Sequence, residues 1–225
     1  MIFDIEFFLP KNILTNNDIS IKFPDYSVEK IGNKIGISER RFVKKNQSAT
    51  DLGISASKKL FRNNYIKPKD IDYILYCTQS PDYIIPTNAC LIQNSLGIST
   101  SAGAIDINQG CSGYIYGLSL AKGLLASNQA NQILLITSDT YSLYLNEEDK
   151  GNRTIFGDGS SATLLNDNGK YKIGDFVLGT DGSGFEHLIL KNSGLKGFNF
   201  KKPELFMNGP KIFEFTIKTI PQLIQ

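Results

Sequence analysis

Residues 2–9 alternate apolar and polar side chains, which predicts a strand, and Thr15 before Asn16-Asn17-Asp18-Ile19 predicts a helix start. Further on, Thr50-Asp51 caps a predicted helix over Leu52–Phe61, in which Leu52, Ile54, Ala56, Leu60 and Phe61 share one face. The loop NNYIKPKD closes it. Ile71–Cys77 is then a nearly continuous apolar run of strand length, the pattern of a central strand covered on both faces. Pro86-Thr87 opens a helix that runs to Leu96 and stops at Gly97, and Ala102–Asn108 reads as a second buried strand. From Ser112 to Ser127 the apolar positions Ile115, Leu118, Leu120, Ala121, Leu124 and Leu125 predict a long helix, followed by a strand at Ile133–Ser138. Strands that alternate with helices in this way predict a parallel or mixed layered α/β fold.

The second part of the chain is more broken. NEEDKGNR, residues 146–153, reads as a charged loop, and Gly157-Asp158-Gly159 introduces a strand to Leu165. After the turn Asp167-Asn168-Gly169, strands are predicted at Ile173–Leu178 and Leu188–Leu190 and a helix from Pro210, as if the same kind of unit began again. That helix reaches Gln225 with its apolar rhythm intact and no cap. The chain is therefore expected to end mid-architecture, with residues 1–166 forming a first half and residues 167–225 the start of a second.

Composition excludes several classes of function. The 24 Lys and Arg against 22 Asp and Glu leave a net charge of +2, which argues against nucleic acid or an anionic membrane as the main partner. No apolar run approaches the roughly 18 residues needed to span a bilayer. The apolar N-terminus carries Asp4 and Glu6 and no basic region, so it does not read as a signal peptide. Three cysteines, Cys77, Cys90 and Cys111, suit a reducing cytoplasm better than a disulfide framework. One histidine, His187, leaves no usable spacing for a zinc site, and no metal is expected.

The most chemically suggestive segment is AIDINQGCSGYIYGL, in which a strand runs into a turn and a thiol stands at the start of a long helix. Unpaired N–H groups and the positive end of a helix dipole favour thiolate over thiol there, and the same groups can hold an oxyanion on an attacked thioester carbonyl. Gly110, Ser112 and Gly113 permit a sharp turn with open access. From these residues alone Cys111 is either a nucleophile or an inert buried thiol, whereas Cys77, within a strand, and Cys90, within a helix, read as packing. Three other signals carry little: the glycine-rich stretch 179–184 lacks dinucleotide or phosphate-loop spacing, Lys196, Lys201 and Lys202 read as a solvated loop, and Tyr141–Tyr144 has no interpretable spacing. Asp158 reads as a turn residue whose side chain bonds local backbone.

Five segments, in order, resemble β-ketoacyl-acyl-carrier-protein synthase III, a condensing enzyme of the thiolase-like superfamily. They are Lys34-Ile35-Gly36-Ile37-Ser38-Glu39-Arg40-Arg41, Pro86-Thr87-Asn88-Ala89-Cys90, Asp106-Ile107-Asn108-Gln109-Gly110-Cys111-Ser112-Gly113, Phe156-Gly157-Asp158-Gly159-Ser160-Ser161-Ala162, and Met207-Asn208-Gly209-Pro210-Lys211-Ile212-Phe213. The resemblance covers this whole chain and about the first two-thirds of a family member. It implies a thiolase-like layered αβαβα fold with the first repeat complete and the second truncated. It also implies that Cys111 takes an acyl group from a coenzyme A or carrier-protein thioester, and that the acyl-enzyme condenses with malonyl-carrier protein with loss of carbon dioxide, in fatty-acid or related biosynthesis.

The same resemblance implies substrate-binding roles for Phe156, Ile85, Lys34 and Lys150, support of the site by Gly157, Asp158 and Gly159, no cofactor, and a cytoplasmic homodimer with no membrane or nucleic-acid partner. It places the dimer interface near Ile85 and the strand Ile133–Ser138. The family's histidine and asparagine helpers would lie beyond Gln225, and His187 does not match that histidine. Where the family sandwiches an adenine between Trp and Arg, Lys30 and Lys150 stand here and the chain has no Trp. Carrier protein is thereby a candidate primer donor, with the lysines available to phosphates. Acyl transfer to a hydroxyl or amine without decarboxylation, and a non-catalytic interaction module, are the competing readings.

Overall fold

The computed structural model describes residues 1–195 and 201–223. In chain order its elements are β1 (Ile2–Phe8), β2 (Asn12–Thr15), α1 (Asn16–Lys22), α2 (Val28–Ile35), β3 (Glu39–Phe42), α3 (Ala49–Asn64), β4 (Tyr73–Cys77) and α4 (Asn88–Leu96). There follow β5 (Gly103–Ile107), α5 (Gly113–Ala126), β6 (Gln132–Asp139), α6 (Lys150–Ile155), β7 (Gly159–Asn166), β8 (Leu188–Lys191), β9 (Glu204–Met207) and α7 (Gly209–Leu223). The chain folds as two units, one of residues 1–14, 39–140 and 157–174, the other of residues 15–38, 141–156 and 175–225.

The first unit is built on a five-stranded sheet of order β1-β7-β6-β4-β5. β6 pairs in parallel with β4, and β4 with β5, while β7 runs antiparallel to both β6 and β1. Four strands therefore point one way, and their C-terminal ends share an edge with the start of β7. Helices cover both faces, and strand alternation shows which covers which. A Cβ on Gly53 of α3 would stand 3.1 Å from Ile136, and one on Gly117 of α5 would stand 2.6 Å from Leu135, so neighbouring residues of β6 meet opposite helices. On the α3 side Ile74, Tyr76, Leu134, Ile136, Ala162 and Leu164 form a core with Leu60, Phe61, Ala89 and Ile92 from α3 and α4. On the α5 side Leu75, Cys77 and Leu135 are buried. This helix–sheet–helix sandwich is the layered α/β class that the sequence pattern predicts.

Local chemistry accounts for most boundaries. Thr15 caps α1 as expected, with Asp18 completing a capping box, and Gly97 takes the left-handed conformation that stops α4. α3 begins earlier than predicted: Ser48 is its cap and Asp51 completes the box, while the Thr50 hydroxyl donates to Asp82 at 2.8 Å. β5 lies at the sheet edge and is half-buried, so the expectation of a buried strand at 102–108 is corrected. β6 is paired on both sides, which removes Ile133–Ser138 from any sheet-edge interface.

The second unit holds α1, α2, α6, β8, β9 and α7. The run read as a charged loop, 146–153, turns helical at Lys150 because the Asp149 side chain accepts the Asn152 N–H at 3.0 Å. The small sheet here is β8 paired antiparallel to β9. The strand predicted at 173–178 does not form: Val177 and Leu178 are exposed and no described residue pairs beside them, and the nearest ladder pairing is the single bridge between Ile2 and Tyr171 in the first unit. Lys196 and Gln225, named above, lie outside the described residues. No described helix is long and apolar enough to cross a membrane.

Candidate active site

The shared edge at the C-terminal ends of β4, β5 and β6 gathers the chemistry of the first unit, as expected for ligands of open α/β sheets. From β5 the chain passes through Asn108-Gln109-Gly110 to Cys111, whose side chain is exposed, and enters α5 at Gly113. From beneath, β4 and the residues just after it supply two side chains that fix this turn. The Cys77 thiol donates to the Gln109 carbonyl at 3.3 Å, and its sulfur occupies the space a Cβ on Gly113 would need. A Cβ on Gly110 would stand 2.7 Å from Oε1 of Gln79. Gly113 is thus required by the Cys77 sulfur pressed against it, whereas Gly110 faces only the movable far end of Gln79. Burial pushes the Cys77 thiol up to about 11, so it stays protonated and structural. Cys90 is half-buried in α4 and donates to the Thr87 carbonyl at 2.8 Å.

Asp139, at the end of β6, holds the neighbouring loop. Its Oδ1 accepts from the Gln79 N–H at 2.8 Å, the Ser80 hydroxyl at 3.0 Å and the Thr78 hydroxyl at 3.3 Å. Burial is the largest influence on this carboxylate and raises its pKa, partly opposed by those donors. Beside it an open depression of about 290 Å³ is lined by Thr137, Ser138, Asp139, Gly157, Gly159, Ser160 and Ser161. Cys111 is not among the lining residues.

Asp158 is buried, and two of its hydrogen bonds reach far along the chain, which corrects the expectation of a self-contained turn. Its Oδ2 accepts the Val43 N–H at 2.8 Å and its own N–H donates to the Arg41 carbonyl at 2.7 Å, tying the start of β7 to β3. Gly157 is closely approached by the Arg41 backbone, where a Cβ would stand 3.2 Å from the carbonyl oxygen, and Gly159 by Leu9 at 3.1 Å.

Ile85 projects from the loop before α4 and is 85% exposed. Cys111, Ile85 and Gly157–Gly159 all belong to the first unit. Lys34, Lys150 and Phe156 belong to the second. Within that unit Lys150 pairs with Asp25, which holds the carboxyl below its ordinary range and the ammonium above its own. The ammonium groups of Lys150 and Lys30 both stand over the Tyr26 ring, 5.0 Å and 5.1 Å from its centroid. Lys34 is exposed one turn further along α2, and Phe156 packs edge-on against Tyr141 with centroids 5.3 Å apart. Sequence reasoning missed Tyr26, Gln79, Asp139 and Asp106. For the two aspartates a signal existed, a carboxylate inside or at the end of an apolar strand; for Tyr26 there was none.

Residues 105–182 match the family model described as 3-oxoacyl-[acyl-carrier-protein] synthase III. The chain is 35% identical over 223 residues to a β-ketoacyl-[acyl-carrier-protein] synthase III of Clostridium perfringens, covering 96% of this chain and 68% of that protein. With the same enzyme of Caldanaerobacter subterraneus it shares 34% over 221 residues, 95% of this chain and 66% of the relative. A crystal structure of 3-oxoacyl-(acyl-carrier-protein) synthase III superposes with a TM-score of 0.92 at 42% identity, covering 99% of this chain and 71% of that one. The enzyme of Burkholderia xenovorans gives 0.89 at 30%, with 99% and 66% covered. The chain spans about two thirds of the length of these relatives. On the strength of the shared layered fold, the matched cysteine segment and these identities, the chain belongs to the β-ketoacyl-[acyl-carrier-protein] synthase III family of thiolase-like condensing acyltransferases.

Proposed function

We propose that Cys111 accepts an acyl group from a coenzyme A or carrier-protein thioester, as the first half of a decarboxylative condensation with malonyl-carrier protein in fatty-acid or related biosynthesis. The observation that carries this reading is the exposed Cys111 thiol on a turn braced from below by Cys77 and Gln79, within the matched segment. In the exchange the Cys111 sulfur bonds to the acyl carbon as the donor C–S bond breaks, and the departing thiolate takes up the proton Cys111 gave. N–H groups at the start of α5 are suited to the oxyanion of that step. Condensation then forms a C–C bond to the malonyl carbanion, releases carbon dioxide and returns the Cys111 thiolate.

In this reading Gly157, Asp158 and Gly159 support the site, and Ile85 and Phe156 each take the substrate-binding role that the resemblance implies. Lys34 and Lys150 hold the phosphates of the donor; Tyr26, shared by Lys30 and Lys150, supports an aromatic contact there without a Trp. No cofactor takes part. The one histidine of this chain, His187, does not match the helper histidine that the resemblance implies. We further infer a cytoplasmic homodimer, supported by the open edge of β5 and the exposed Tyr83, Ile84 and Ile85, and a division of the fold into a nucleophile half, residues 1–166, and the start of a second half, residues 167–225.

The test is intact-mass analysis of the chain after incubation with acetyl and longer acyl thioesters. A single acyl mass on the wild type that is absent from Cys111→Ala supports the reading, and no acylation overturns it. Release of carbon dioxide on addition of malonyl-carrier protein separates condensation from acyl transfer to a hydroxyl or amine.

A further inference from the structure

Residues 78–80 lie just past the end of β4, where the sheet no longer holds the chain on both sides. The last rung between β4 and β6 pairs Cys77 with Thr137, and the last between β4 and β5 pairs Cys77 with Ile107. Beyond it the Thr78 N–H still donates to the Ile107 carbonyl at 3.1 Å on the β5 side. On the β6 side a side chain takes over. Asp139, which pairs with Gly159 in the last rung between β6 and β7, accepts on Oδ1 from the Gln79 N–H at 2.8 Å, the Ser80 hydroxyl at 3.0 Å and the Thr78 hydroxyl at 3.3 Å. The Ser80 hydroxyl in turn accepts the Thr140 N–H at 2.8 Å, so the two segments hold each other in both directions.

The side chain of Gln79 lies against the turn that carries Cys111, its Oε1 2.7 Å from where a β-carbon on Gly110 would stand. A carboxamide at the end of a flexible stem has no fixed place of its own; where it lies follows from where its backbone is held. Asp139 therefore reaches the nucleophile in two steps, through the backbone of Gln79 and then through the carboxamide against Gly110, the residue before Cys111. Thr78 and Ser80 are buried, which keeps water from competing for the donors of this anchor. The far end of the same loop is secured by a different carboxylate: Asp106 on β5 accepts the N–H groups of Asn88 at 2.6 Å and Ala89 at 2.8 Å, at the start of α4.

We infer that Asp139 is a positioning residue for Cys111: by holding the backbone of Gln79 it keeps the Gln79 carboxamide against Gly110 and fixes the turn in the orientation from which the sulfur attacks a thioester carbonyl. This rests on the acyl-transfer reading above. Attack on a bound thioester needs the sulfur within a narrow range of position and direction, and a displacement of about 1 Å lowers such a rate by up to about a hundredfold. Alkylation by a small reagent free in solution makes no such demand, because the reagent chooses its own approach. Loss of the anchor is thus felt by acyl transfer and not by the intrinsic reactivity of the thiol.

The experiment follows acylation of Cys111 in the full chain by intact mass over a range of acetyl-coenzyme A concentrations, with alkylation by iodoacetamide measured alongside. Asp139→Ala is expected to lower the maximal acylation rate about tenfold or more, with the half-saturating concentration within about twofold and the alkylation rate within about threefold of wild type. Gln79→Ala is expected to show the same pattern, and the double variant to be no more than about twofold slower than the slower single one, since both act through one contact. Asp139→Asn, which keeps an acceptor oxygen, is expected to restore most of the rate lost in Asp139→Ala. If Asp139→Ala does not fold, Asp139→Glu, whose carboxylate stands one methylene off, takes its place, and wild-type rates in both Asp139→Glu and Gln79→Ala overturn the inference. Equal losses of acylation and alkylation, an unchanged maximal rate in Asp139→Ala, or multiplying effects in the double variant also overturn it and leave the acyl-transfer reading standing. Absence of acylation in the wild type removes both together.

Discussion

The sulfur of Cys77 occupies the position that a β-carbon on Gly113 would take, so strand β4 and the first residue of α5 fit only if one of them stays small. Gly113→Ala is expected to destabilise the fold by about 1–3 kcal/mol through overpacking, measured by urea unfolding. Cys77→Ala combined with it should recover a substantial part of that loss. Additive effects in the double mutant would show that the two residues do not compete for the same space.

Gly110 offers a contrast at the same turn. Its neighbour is the far end of the Gln79 side chain, which can swing away, so Gly110→Ala is expected to cost under about 1 kcal/mol. The same unfolding measurement checks it.

Thiol accessibility should rank the three cysteines. Cys111 is exposed, Cys90 half-buried, and Cys77 buried with its thiol pushed up to about 11. Iodoacetamide at pH 8 is expected to modify Cys111 first, and Cys77 only when urea opens the fold, as read by peptide mass mapping.

Asp158 reaches across the chain to Val43 and Arg41. Asp158→Ala leaves a buried N–H without its acceptor and is expected to lower stability by about 1–3 kcal/mol. Amide exchange at Val43 should accelerate in the variant while exchange in β4 changes less.

Burial raises the Asp139 pKa above its ordinary 3.8, so the folded state holds the proton more tightly than the unfolded chain does. Stability attributable to this group is then greatest below the ordinary value and falls as pH rises through it toward the folded value. Asp139→Asn removes the charge that burial penalises and keeps an acceptor for Gln79. The variant should therefore gain stability relative to wild type as pH rises above the ordinary carboxylate value, measured by urea unfolding at each pH. A gap that does not change with pH would contradict this sign.

How much was legible in the sequence follows from where each signal resides. β4, β6, α3 and α5 were readable because their burial on one or two faces writes itself as an apolar run or a helical stripe, as in Ile74 to Cys77 and Leu118 to Leu125. α2 was missed because only Ile31 in it is buried, and α6 because its cap, Asp149, sits inside a run of charges. The strand anticipated at 173–178 carries the apolar residues Ile173, Phe176, Val177 and Leu178 but joins no ladder among the described residues, and pairing is a property of two segments. The same limit hid the site's anchors. Cys111 could be picked out by its own turn, whereas the roles of Gln79, Asp106 and Asp139 depend on partners brought to them by the sheet order.

The pairing of β1 with β7, Ile5 opposite Thr163, has a consequence in time. On a ribosome adding roughly 5–20 residues per second, the first strand waits about 10–30 s for its partner to be made. During that interval Ile2, Phe3, Ile5, Phe7 and Phe8 form an apolar strand with nothing to pair with. Until β7 is made, β1 is thus an unpaired apolar strand that a chaperone can cover, long before any thioester arrives.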